Sequence, residues 1–145
     1  MKMRAALRVF GRNQRGAIAV EFAFIAIPLM LLLVGSLEVS RLVWTRHALQ
    51  DAAANGARCV GLRSPPCVLD GVANQAGARG FVQDKAAGWI VFIAAEAVTV
   101  EEDAECNGLA GFARVKVHHD FYSVLNVITG GTIETEACFP QMTLN

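Results

Sequence analysis

From Ala17 to Leu37 the chain reads AIAVEFAFIAIPLMLLLVGSL, 21 residues with a single charge at Glu21. As a helix this run rises about 31 Å, the thickness of a bilayer's hydrocarbon core. A single segment crosses lipid only as a helix, because only then are its backbone hydrogen bonds closed internally. Pro28 removes one of those bonds and predicts a local bend or loosening, which membrane helices tolerate. Lys2, Arg4, Arg8, Arg12 and Arg15 precede the run with no acidic residue among them, and mixed charges follow it at Glu38, Arg41, Arg46 and Asp51. That asymmetry puts the N-terminus in the cytoplasm and the rest outside.

The charge distribution also limits the partners. The chain has 145 residues, 13 basic and 13 acidic, but five of the basic ones lie in the first sixteen positions. Beyond them remain eight basic against thirteen acidic residues, a net of −5. A basic cap before an apolar run speaks for a membrane, whereas nucleic-acid binding calls for a basic folded face. A cleaved secretory signal is opposed by three features: the length of the apolar segment, a carboxylate near its start, and the lack of a small-residue cleavage site before Ala52–Ala54.

Glu21 is the residue that a plain anchor leaves unexplained. An ionised carboxylate inside hydrocarbon costs about 2.5 kcal/mol or more on insertion scales and usually has a partner. No basic side chain lies within the run, and Arg15 is six residues earlier, at headgroup level. A cut between Gly16 and Ala17 supplies a different cation: the new α-amino group, with Glu21 as fifth residue of the product. An ammonium on a neighbouring subunit then pairs with it.

Arg15-Gly16 before Ala17-Ile18-Ala19-Val20-Glu21-Phe22 resembles the processing site of type IV pilin-like precursors, in which a prepilin peptidase cuts after Gly and a Glu stands at the fifth mature position. The continuation is more specific. Gly-Ala-x-Ala-Val-Glu-Phe-Ala, the apolar stretch interrupted by Pro28, Glu38-Val39-Ser40-Arg41 and Leu49-Gln50-Asp51-Ala52-Ala53-Ala54 resemble the TadE-like pseudopilins of the tight adherence (Flp/Tad) pilus machinery. The likeness is dense from about Arg15 to Arg58, with a weaker echo from Phe112 to Met142, where a valine-rich strand, an aromatic and leucine turn and Gly130-Gly131 precede a final strand. TadE, TadF and the larger TadG-type proteins share the leading pattern, and the length favours the first two. The resemblance implies a single-span protein of the bacterial inner membrane with a periplasmic head, standing at the base of the pilus or within it. The partners it implies are the prepilin peptidase, other pilins or pseudopilins, pilus assembly proteins and membrane lipid, with no cofactor, nucleic acid or small-molecule substrate. The other reading is an unprocessed single-span anchor bearing a periplasmic binding or enzymatic domain.

The expected fold is α+β: a long N-terminal helix, transmembrane in its first half, carrying a small head with a second helix and a three-stranded antiparallel sheet. The divisions are a basic leader over 1–16, a membrane helix over 17–37, a helical extension over 38–60 and the head over 61–145. Val39, Leu42, Val43, His47, Leu49, Ala52 and Ala53 recur at helical spacing, and Gly56, Gly61 and Pro65-Pro66 mark the helix's end. Asp70 is the expected cap of a second helix running through Val72, Ala76, Phe81, Val82 and Ala86 toward Ile90 and Phe92. The run Trp89–Ala95 is too short to span a bilayer and reads as a buried helical turn or core strand, with contact to a membrane surface the lesser reading. Val98–Glu101, Ala113–His118 and Thr132–Ala137 alternate as strands, and the acidic run 101–105 reads as a solvated loop.

Four cysteines in the exported part predict two disulfides, in one of three pairings, because a head of fewer than ninety residues has limited core to stabilise it. The favoured set is Cys59 with Cys67, stapling the loop Arg63–Pro66, and Cys106 with Cys138, tying the loop after the first strand to the end of the last. No CxxC pair suggests zinc. His118-His119-Asp120 is the one cluster with enzymatic flavour, and neighbours on a strand face opposite sides, so the two histidines do not share a metal. There is no phosphate loop, no HExxH and no serine elbow in the sequence.

Overall fold

The computed structural model describes residues 15–123 and 131–142. The expected leader lies outside the described residues except for Arg15 and Gly16, as does the turn over 124–130. The described elements are helix α1 (Arg15–Gly61), strands β1 (Val68–Leu69) and β2 (Val72–Ala73), helix α2 (Gln75–Gly88), a 3₁₀ turn (Ala95–Ala97), and strands β3 (Val98–Cys106), β4 (Leu109–Phe121) and β5 (Gly131–Pro140). The chain forms two compact units, Met1–Glu38 and Val39–Asn145. The arrangement is α+β, with one long helix, a second helix and a three-stranded antiparallel sheet.

In the first unit α1 runs through Pro28 without interruption. Its neighbours are alanine, leucine, isoleucine and phenylalanine, and Ser36 satisfies its hydroxyl by donating to the Leu33 carbonyl at 2.9 Å.

In the second unit the C-terminal part of α1 presents Ala48, Leu49, Ala52, Ala53, Ala57 and Val60 to the core at the i, i+3, i+4 spacing of one helix face. α2 adds Ala78, Val82 and Ala86, and the sheet adds Val98, Val100, Ala113, Val115, Val117, Phe121 and Ile133. The helical side is built mostly of alanine and valine around Leu49, so the backbones approach closely. Gly56 sits where three elements converge: a Cβ there would stand 2.4 Å from Val82 Cγ2 on α2 and 3.5 Å from Val115 Cγ2 on β4. This glycine lies inside the helix as a packing residue, and the helix ends at Gly61.

Several sequence expectations are corrected. Asp70 caps no helix. It stands with Gly71 at φ +52° and +78°, forming the two-residue turn that pairs Leu69 with Val72 and Val68 with Ala73. Both positions need the left-handed backbone, which Asp-Gly supplies readily. α2 starts later, at Gln75, capped by Asn74, whose Oδ1 accepts the Gly77 N–H at 3.2 Å. It also ends earlier, at Gly88. The Val91 N–H closes on the Ala86 carbonyl at 3.1 Å and the Ile90 N–H on Ala87 at 2.9 Å, the two bonds of a Schellman stop with Ile90 in the left-handed position at φ +62°. Residues 91–94 are neither helix nor strand, with Val91 and Ile93 buried and Phe92 exposed between them. The sequence reading of this run failed because the period-2 burial is real while no neighbouring strand forms a ladder with it.

The acidic run 101–105 belongs to β3 rather than to a loop. The register shifts on both sides of Ala104, and Asp103 takes φ +59°, so the strand bulges, keeps Ala104 buried and leaves Glu102 and Asp103 exposed. All three strands extend beyond the alternating cores seen in the sequence. β3 turns into β4 through Asn107-Gly108, at φ +53° and +79° with Cys106 opposite Leu109. β5 pairs with the other side of β4 from Phe112↔Pro140 to Phe121↔Gly131.

The structure joins Cys59 to Cys67 and Cys106 to Cys138, at Cα separations of 5.8 and 6.6 Å. The first closes the loop between α1 and the β1–β2 hairpin. The second spans β3 to β5, which are not neighbours in the sheet. Two strand spacings in a flat sheet come to about 9.5 Å, so the bulged end of β3 has curled toward β5 across β4.

Candidate functional site

The candidate processing site is the first turn of α1. Gly16 is exposed, and a Cβ built on it would meet nothing within 4 Å. The Gly16–Ala17 bond is therefore unobstructed by the described residues. Glu21 follows Ala17 by four residues, one helical turn on the same face, and its side chain is exposed. Among the described residues no ion pair engages it. Around it Ile18, Val20, Phe22, Phe24 and Ile25 are all exposed, and the apolar surface continues on every side of the helix to Leu37. A helix apolar all round with no protein against it is suited to lipid or to other helices. By length and composition this one is able to cross a membrane.

The head carries its charges on the face of the sheet away from the helices. Arg114 on β4 reaches Glu101 on β3 through both Nε (2.8 Å) and Nη2, and Lys116 Nζ stands 3.7 Å from the other carboxylate oxygen. The Arg114 hydrogen bond holds the Glu101 carboxyl below the usual glutamate range, more than burial raises it. His118 lies between two carboxylates, with Nε2 3.6 Å from Asp120 and Nδ1 3.6 Å from Glu134. His119 is on the opposite side of the same strand, against Ile133. Among the described residues no group of three His, Cys, Asp or Glu side chains is placed to hold a metal.

Residues 16–58 match the family model of the TadE-like proteins. Over this stretch the chain is similar to the TadE-like proteins. The matched segment begins at Gly16, contains Glu21 and Pro28, and ends one residue before Cys59. No curated protein and no solved structure matches the chain significantly. The head beyond Arg58 is thus described by its own geometry.

Sequence reasoning missed one pair of residues in that head. Trp44 on α1 and Trp89 after α2 meet edge to face at 5.3 Å between ring centroids. Trp44 Nε1 donates to the Trp89 carbonyl at 3.1 Å and Trp89 Nε1 to Asp51 Oδ2 at 3.1 Å. The two lie 45 residues apart, and no local pattern connects them.

Proposed function

We propose that this chain is a pilin-like component of the tight adherence pilus machinery: inserted with its N-terminus in the cytoplasm, cut between Gly16 and Ala17 by a prepilin peptidase, and active in assembly through its N-terminal helix. The observation that carries this reading is the TadE-like match over 16–58, which starts at the glycine before the cut and includes the one carboxylate of the apolar run. The exposed all-apolar helix supports it, since such a surface wants lipid or neighbouring helices. In the assembled state Glu21 offsets the α-amino charge of a neighbouring subunit and sets the axial register. The head stands in the periplasm, where both disulfides persist.

The test is the N-terminal sequence and intact mass of the protein purified from its native membranes. The expected start is Ala17, and Gly16→Ala is expected to leave the full-length precursor. Because a methyl group at residue 16 meets nothing, that substitution acts on the cut and leaves packing unchanged. A wild-type protein that keeps Met1 in the presence of the peptidase would return the chain to an unprocessed anchor.

A further inference from the structure

Ile90 occupies a position that backbone sterics reserve for glycine. A left-handed residue closing a Schellman motif is usually Gly, because a β-branched side chain there is strained. Here it is isoleucine at φ +62°, and its side chain is 80% exposed. The strain therefore gains no core packing. Phe92, two residues on, is 76% exposed, and Val91 between them is buried. Trp44 is 54% and Trp89 37% exposed beside them, with both indole N–H groups already bonded inside the protein. What remains outward is hydrocarbon that asks for no hydrogen bond.

We propose that Trp44, Trp89, Ile90 and Phe92 form a membrane-resting patch that takes a lipid headgroup layer as its partner. The inference rests on the reading of residues 17–37 as a membrane span. Trp44 is seven residues past Leu37, about 10 Å of helical rise, and a helical side chain leans back toward the N-terminus. Its ring thus reaches the headgroup zone, which extends roughly 5–8 Å beyond the hydrocarbon on each side. Tryptophan favours that level, and Ile90 and Phe92 are tied to Trp89 by the chain itself. The 86–93 segment is held from behind by the Gln83 side chain, which donates to the Ile93 carbonyl at 2.8 Å, so the patch is presented on a fixed support.

Trp44 and Trp89 are the chain's two tryptophans, so intrinsic fluorescence reports on the patch alone. The full chain is reconstituted in phosphatidylcholine vesicles brominated at either the 6,7 or the 11,12 carbons, with alkaline extraction as an independent measure of the span. The expected result is alkali resistance, with quenching about twofold stronger by the shallow bromines than by the deep ones. Ile90→Gly combined with Phe92→Ser should reduce the shallow quenching by about half, while alkali resistance and the near-UV dichroism of the tryptophan pair persist. An alkali-resistant protein whose tryptophans are not quenched overturns the patch and leaves the anchor standing. If such unquenched tryptophans are shielded on self-association, the patch belongs to a second copy instead of lipid. Extraction by alkali overturns the anchor, and the patch with it. Quenching unaltered by the double substitution also sinks the proposal.

Discussion

At the scale of single residues, space and charge decide outcomes that residue type does not. Gly56 sits within a helix, where alanine has an intrinsic advantage of about 1 kcal/mol. Against this, the added Cβ would collide with Val82 Cγ2 at 2.4 Å, and a valine in a helix has essentially one rotamer with which to respond. Overpacking of this kind costs about 1–3 kcal/mol, so Gly56→Ala is expected to destabilise the head by up to about 2 kcal/mol net, as a lowered thermal midpoint in detergent. Glu101 gives a pH dependence. Its folded-state carboxyl is held below the ordinary value of about 4.3, so its contribution is full above that value and fades as pH falls through the depressed one. The pair with Arg114 is partly exposed and contributes about 0.2–1 kcal/mol. Glu101→Gln should therefore lower stability slightly at pH 7, by a difference that shrinks toward acid pH, checked by denaturant midpoints at pH 7 and pH 2.

At the scale of elements, the two disulfides constrain different lengths of chain. Loop-closure entropy assigns about 2.5 kcal/mol to a link across 8 positions and about 3.5–4 kcal/mol to one across 32. Replacing Cys106 and Cys138 together by serine is thus expected to lower the head's stability more than replacing Cys59 and Cys67. Thermal melts of the two double variants, without reductant, check the order. The hairpins of this head carry a dipeptide signal that the sequence expectations leave unused: Asp70-Gly71 and Asn107-Gly108 are both two-residue left-handed turns. Asp is equally good as a helix cap, and the cap is the sequence expectation at residue 70. Distance from the next apolar run does not separate the two; the pairing of Val68 with Ala73 does.

At the scale of the whole molecule, the long apolar helix and the head answer to different surroundings. The helix has an apolar exterior with one exposed carboxylate, and on the proposed function lipid and other subunits cover it. Glu21→Ala removes the costly charge and should leave insertion intact, while pilus yield in the native host falls severalfold. Pilus counts by microscopy alongside membrane fractionation check this, and an unchanged yield would remove Glu21 from the assembly contact. The head, in contrast, closes its own core from α1, α2 and the sheet, stapled at both ends.

The sequence by itself determined the long helix, the pattern around Gly16 and Glu21 that resembles a processing site, and the α+β class. Each rests on a local rule: an apolar length matched to a bilayer, a run of residue types along one segment, and periods of 3.6 or 2. The tertiary structure alone decided where α2 stops, that residues 101–105 are strand, that Gly56 is a contact and not a terminus, and that two tryptophans 45 residues apart share one surface. Those features depend on what lies opposite: Val82 facing Gly56, β4 holding the bulged β3, and the core drawing in Val91 while Ile90 is turned outward. Sequence periodicity records which face of an element is buried, and only the packed chain shows what that face is buried against.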